Sequence, residues 1–291
     1  LEVIGRTRVV IETVTPGGKP ILKWAGGKTQ LLPEIAKRMP ESFVTYHEPF
    51  VGSAAVFFAI APENATLSDT NRHLVNLYLS VRDQVDELHY ELASLEKEFN
   101  SIRLEGKADY YLLRRQEFND GDEGSLRQSA LMVFLNKTGF NGMYRENSKG
   151  KFNIPFNKRT SLLLPTKDHL LKAQALLRRA EILATGFDTI LDRAQVGDFV
   201  YFDPPYVPLS SSSSFTSYQA DGFGASDQLR LRDIVGALDK KGVSVLLSNS
   251  DTPEVRELYG ELTIETVYAR RSINSKGAGR GVVAEVLVRN F

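Results

Sequence analysis

The 291 residues contain no cysteine, which excludes disulfides and every thiolate metal site. Histidine is scarce, and His47, His73, His89 and His169 never fall at the short spacings that pairs of metal ligands use, so chemistry without a metal is expected. The longest stretch of small apolar residues, 54–61, is far below the roughly 20 residues that a membrane span needs. The first residues lack the apolar core of a secretory signal, and a cytoplasmic location is expected. An excess of one charge is missing too. The chain has 36 Lys and Arg against 36 Asp and Glu, which excludes a basic footprint spread over the whole molecule.

What is present is segregated charge. Residues 137–159 hold Lys137, Arg145, Lys149, Lys151, Lys158 and Arg159 against the single acid Glu146, and residues 269–281 hold four bases and no acid. Residues 83–123 carry twelve acids and five bases. This pattern predicts two opposed faces, one able to contact phosphate and one solvated, with an even scatter of charge as the alternative. With 42% hydrophobic residues, the chain can bury a sizeable core in one large or about two smaller domains.

Runs at 43–47, 64–67, 181–184, 198–202, 243–247, 263–269 and 282–288 read as strands. Residues 53–60, 166–180, 226–240 and the stretch from Asn71 onward read as helices, and 82–137 is helical with breaks at Gly106 and Gly121. The expected fold is α/β: a mostly parallel sheet flanked by helices, with a terminal antiparallel pair and a mainly helical insertion. Residues 20–82 and 166–291 would form a discontinuous main domain, 83–165 the insertion and 1–19 a peripheral extension. The loop 207–225, with its serine run, is too long for a plain connection and is either a linker or a lid.

Chemistry is expected where the strands stop. The apolar run 198–202 ends at Asp203-Pro204-Pro205-Tyr206. The prolines force the chain out of the sheet rigidly, and the Asp203 carboxylate and the Pro204 carbonyl become acceptors beside an aromatic ring, a set that suits an exocyclic amine. A strand-ending turn with a capping aspartate is the plainer alternative. Glu48-Pro49-Phe50-Val51-Gly52 follows another strand, and its single glycine points to a nucleoside ligand without a pyrophosphate. Asp69, at the end of the next strand, is placed to accept ribose hydroxyls, or else to cap a helix. S-adenosylmethionine fits this description. Gly26-Gly27-Lys28-Thr29 imitates a phosphate loop, but Leu22 occupies the position of the loop's first glycine, and a carboxylate suits the turn better.

Taken in order, Lys23-Trp24-Ala25-Gly26-Gly27-Lys28, Glu48-Pro49-Phe50-Val51-Gly52, Ser68-Asp69, Asn141-Gly142-Met143-Tyr144-Arg145, Phe152-Asn153-Ile154-Pro155-Phe156 and Asp203-Pro204-Pro205-Tyr206 closely resemble the Dam-type DNA adenine-N6 methyltransferases. The resemblance runs from about residue 20 to the last residue. It implies that Trp24, Lys28, Phe50, Gly52, Asp69, Phe187 and Asp203 form the S-adenosylmethionine site, and that Asp203, Pro204, Pro205 and Tyr206 are catalytic. It further implies that Lys23, Asn141, Met143, Arg145 and Pro155 read double-stranded DNA at GATC. Lys158 and Arg159 suit phosphate, and because N6 is inaccessible within a stacked duplex, the target adenine is expected to be flipped out of the helix. Met143 replaces a common leucine, and Asn157 and Arg159 replace a frequent glycine and tyrosine, so the phosphate contacts stay open. Cytosine N4 in DNA, adenine in RNA and a non-catalytic DNA-binding role are the alternatives. Genetic pairing with a restriction endonuclease stays open as well.

Overall fold

The computed structural model describes residues 7–8, 18–208, 223–270 and 282–291. In chain order these residues form strands β1 (Thr7–Arg8), β2 (Ser42–Phe43), β3 (Tyr46–Glu48), β4 (Ala65–Ser68), β5 (Ala180–Leu183), β6 (Phe199–Phe202), β7 (Ser244–Ser250), β8 (Thr263–Arg270) and β9 (Val282–Arg289). The helices are α1 (Leu32–Ala36), α2 (Ala55–Ile60), α3 (Arg72–Asp83), α4 (Val85–Ser101), α5 (Lys107–Asp120), α6 (Leu126–Thr138), α7 (Lys167–Leu177), α8 (Ile190–Arg193), α9 (Ala225–Lys240) and α10 (Pro253–Leu258). The greater part of the loop 207–225, residues 271–281 of the basic stretch and most of the extension 1–19 lie outside the described residues.

The main sheet has seven strands in the order β5-β4-β3-β6-β7-β9-β8. Its first five strands are parallel, and β9 runs antiparallel to both β7 and β8. The chain therefore leaves β3 toward one edge and β6 toward the other. That reversal opens a crevice beyond the C-terminal ends of β3 and β6, where open α/β sheets bind their ligands.

Side-chain alternation places the sheet between two apolar layers. Phe199, Tyr201, Leu246 and Leu287 join one core cluster, whereas Val200, Phe202, Val245, Leu247, Val286 and Val288 join the other, beneath α8, α9 and α10. A slip of one residue would exchange these faces, so the register of β6 is fixed by its four fully buried side chains. The first cluster continues without a break into the helical region. There α6, apolar on nearly all sides, is enclosed by α3, α4 and α5.

One local expectation and one alternative reading need correction. The run 43–47 is not one strand: Ser42–Phe43 pairs antiparallel with Thr7–Arg8, and Tyr46–Glu48 enters the main sheet. Between them the Val44 and Thr45 amides turn away to the Gly197 carbonyl and the Asp198 carboxylate. The helix after β4 is capped by Asn71, whose Oδ1 accepts from the Leu74 amide at 3.0 Å, and not by Asp69.

Candidate active site

The crevice is a cleft of about 1100 Å³. Its floor is the turn after β6. Asp203 Oδ1 meets Lys28 Nζ at 2.7 Å and accepts from Ser248 Oγ at 2.9 Å. Tyr201 shares a 3.0 Å hydrogen bond with Ser248 behind it. The carboxylate is thus oriented from two sides through one oxygen. Gln228 on α9 donates to the Pro205 carbonyl, and the Val207 amide donates to Asn249 Oδ1, which fixes the exit of the chain. The Tyr206 hydroxyl donates to Glu285 Oε2 at 2.7 Å, and the Lys28 ammonium lies 4.6 Å from the Tyr206 ring centroid.

The second wall follows β3 and β4. Phe50 stacks on Phe187 with centroids 5.2 Å apart, and Phe223 meets both rings. Asp69 accepts from the Gly52 amide at 3.1 Å and the Asn71 amide at 2.9 Å. Gly52 has φ of +44°, and a Cβ there would lie 2.8 Å from Trp24 Cδ1; only glycine lets the indole ring come so close. The expected helix terminus at Gly27 is a short 3-10 turn, Lys28–Gln30, and its lysine points back to Asp203.

The third wall comes from the turn after α6. Asn141 and Gly142 both take positive φ, and Tyr144 stacks on Trp24 with centroids 5.4 Å apart. Arg145 is exposed and held by its Nε, which donates to Asn153 Oδ1 at 2.8 Å. Pro155 accepts from the Phe140 amide at 2.9 Å, so Pro155, Asn141, Met143 and Arg145 belong to one hairpin. Lys158 and Arg159 are exposed beyond it, and Lys158 has φ of +52°.

The charges match this layout. Burial raises the Asp203 carboxyl above its ordinary range, while Lys28 and Ser248 pull it back. Burial also raises the Asp69 carboxyl, against three backbone amides that favour the ionised form. The Lys137 ammonium is lowered by burial and by its neighbours Lys23 and Arg159, a locally positive field on the hairpin side.

Burial raises Glu48, at the end of β3, to about 8. Its Oε2 accepts from Tyr46 and the Phe57 amide. The ordinary value is 4.5, so the folded protein keeps a proton that the unfolded chain releases. This contribution to stability is complete below pH about 4.5 and declines as pH rises toward about 8. Glu48→Gln, which stays neutral, is expected to flatten that decline. Urea unfolding across this window checks it; an unchanged slope would assign the pH dependence elsewhere.

Asp203, Pro204, Pro205, Tyr206, Trp24, Lys28, Phe50, Gly52, Asp69, Phe187 and Arg145 all line the one cleft. Lys23 lies behind it, against Gly142. Ser248, Asn249, Gln228 and Glu285 reach the site from distant strands and a helix, and no local sequence pattern announces them. Phe140 is the residue with a readable signal, an aromatic ring 43% exposed beside Asn141 in a basic stretch. Among the described residues no cluster of three or more His, Cys, Asp or Glu could hold a metal, and no helix is long and apolar enough to cross a membrane.

Comparison with known proteins accounts for nearly the whole chain. A type II methyltransferase of Lactococcus lactis subsp. cremoris is 39% identical over 94% of this chain and 95% of its own length. The type II methyltransferase M.MjaIII of Methanocaldococcus jannaschii is 38% identical over 94% of this chain and 99% of its own length. A DNA adenine methylase of Escherichia coli is 34% identical over 92% of this chain and 94% of its own length. The model of the D12 class N6 adenine-specific DNA methyltransferase family matches residues 24–273, which span the cleft from Trp24 through the Asp203 turn. The chain belongs to this family of adenine-specific DNA methyltransferases.

Proposed function

We propose that the cleft holds S-adenosylmethionine against the Phe50 and Phe187 wall and receives one adenine, swung out of duplex DNA within GATC, on the Tyr206 side. The observation that carries this reading is the oriented Asp203 carboxylate at the junction of the two walls, with Oδ1 occupied by Lys28 and Ser248. Its second oxygen would accept one N6–H, and the Pro204 carbonyl would accept the other.

The donor set suits the cofactor. Aromatic faces suit an adenine ring and a sulfonium, and Asp69 suits a pair of ribose hydroxyls. The Trp24 to Lys28 turn suits a carboxylate. Bound there, S-adenosylmethionine supplies an electrophilic methyl group. The protein's share is position and polarity. The N6 lone pair is delocalised into the adenine ring, and two acceptors draw electron density back onto nitrogen and aim it. Tyr206 offers a stacking face that helps offset the few kcal/mol needed to unstack a base. The Phe140 ring, 43% exposed beside Asn141, would offer an aromatic face to the gap left in the duplex. By this reading 20–82 and 166–291 form the catalytic domain, and 83–165 the helical target-recognition domain.

Arg145 would read guanine through a bidentate contact, typically worth roughly 1–3 kcal/mol of discrimination, whereas Lys158 and Arg159 would hold phosphate. Arg145→Ala is expected to slow methylation of the cognate site while leaving sites altered at that guanine nearly unaffected. Single-turnover rates on the two duplexes check this, and equal losses on both would remove Arg145 from its role. The reading as a whole is tested by expression in a host without adenine methylation. GATC sites in its DNA should then be cut only by the endonuclease that requires methylation. DNA unmodified at every adenine would defeat the reading, and modification elsewhere would defeat the GATC assignment.

A further inference from the structure

One buried amide joins the two halves of the site. Asn136, near the end of α6 and 5% exposed, accepts from the Lys23 amide at 3.0 Å through Oδ1. Its Nδ2 donates to the Lys23 carbonyl and to the Gly142 carbonyl, both at 2.8 Å. Lys23 and Gly142 belong to different parts of the chain. One leads directly to Trp24 and the Gly26-Gly27-Lys28 turn, and the other is the centre of the hairpin that carries Arg145. Gly142 has φ of +66°, and a Cβ on it would lie 2.9 Å from Lys23 Cδ. The hairpin therefore rests on the Lys23 stem with no room between. One residue further along each segment, or two, Trp24 stacks on Tyr144.

We infer that Asn136 is a positioning residue that couples the cofactor pocket to sequence reading, so that each ligand is bound more tightly when the other is in place. The inference rests on the functional reading above. The segment 23–28 is the shared element. Trp24 and Lys28 face the cleft from it, and its backbone is clamped to the hairpin by Asn136. A ligand that orders this segment bears the ordering cost once, and the second ligand finds the segment already fixed. Linkage requires the effect to be reciprocal, and typical couplings are about 5- to 150-fold.

The chemistry of the clamp explains why an asparagine is needed. It faces one N–H and two carbonyls, so it must offer an acceptor and two donors from a short side chain. Aspartate has nearly the same shape but would turn carboxylate oxygens toward both carbonyls. Asn136→Asp should therefore break the clamp without emptying the site or touching either ligand.

The test uses S-adenosylhomocysteine and short duplexes with the intact protein. Affinity for S-adenosylhomocysteine is measured by calorimetry alone, with a duplex bearing the site that the protein methylates, and with the same duplex altered at one base pair. In the unsubstituted protein the cognate duplex is expected to tighten S-adenosylhomocysteine binding about fivefold or more, and the altered duplex to do so by less. In Asn136→Asp this difference should shrink to within about twofold, while the affinity for each ligand alone changes by less than about threefold. Tyr144→Leu, which removes the ring contact with Trp24 and leaves the buried amide alone, should also reduce the coupling and serves if Asn136→Asp fails to fold. Independent binding of the two ligands to the unsubstituted protein, or full coupling in the folded variants, would overturn the inference and leave the functional reading intact. Failure to bind either ligand would overturn both.

Discussion

The Asp203→Ala protein is expected to transfer methyl groups about 10³-fold more slowly, or worse, while its sheet stays intact. Loss of a single preorganised hydrogen-bonding group aimed at developing charge typically costs about 10²- to 10³-fold. In the proposed arrangement Asp203 would do more than one such group, since it would both accept from the amine and lie within reach of the proton that N6 must shed. Its orientation is not left to chance. Lys28 and Ser248 converge on Oδ1, and Tyr201 backs Ser248 from within the core. Asp203→Asn should be almost as poor, because an amide turned toward N6 can present donors where an acceptor is needed. Removal of the carboxylate also leaves the Lys28 ammonium, 5% exposed, without its ionic partner, and breaking a buried pair in this way is strongly destabilising. Thermal unfolding must accompany the kinetics. A folded Asp203→Ala protein with an undiminished single-turnover rate would defeat the mechanism.

The second large effect is expected at Tyr206, where two contributions separate. Stacking of a base on an aromatic ring is typically worth about 1–3 kcal/mol, and a mobile base also loses its aim at the methyl group. Tyr206→Leu should therefore lower kcat/KM about 10²-fold. Tyr206→Phe keeps the ring but loses the 2.7 Å bond to Glu285, and a loss of about tenfold or less is expected from a single anchoring hydrogen bond. Burial and the nearby Asp203 and Glu285 charges push the Tyr206 phenol well above its ordinary range, so it serves as a neutral donor and not as a base. Measurement of kcat and KM for both variants checks the division. Equal losses in the two would mean that the hydroxyl, not the ring, does the essential work.

The parts of this molecule that could be read from its sequence are those in which neighbours along the chain also share a role. The run Phe199–Phe202 is apolar at every position because both faces of β6 are covered, and the polar turn after it marks the end of the sheet. Asp69 and Phe187 are likewise at strand ends or just beyond them, where the α/β pattern places ligand contacts. The break at Val44 and Thr45 could not be read, because it comes from the Gly197 carbonyl and the Asp198 carboxylate, which are remote in sequence. The pairing of Lys28 with Asp203 is hidden for the same reason. A glycine-rich turn before a lysine looks like an anion cradle, and only the closure of the sheet reveals the carboxylate that the lysine meets. Ser248 and Glu285 sit beside apolar runs in strands β7 and β9, so their polar atoms have no signature beyond a polar residue next to apolar ones.

The position of β9 has a consequence for how the enzyme comes into being. It follows β8 along the chain, yet it lies between β7 and β8 and carries Glu285, which accepts from the Tyr206 hydroxyl. Until it docks, β8 has no neighbour to join and β7 presents bare amides and carbonyls to any other chain nearby. The parallel strands β3 to β7 can thus come together early, while the anchor of the Tyr206 hydroxyl waits for Glu285. An intermediate in which β9 has not docked would then tend to clump rather than act as a slow enzyme.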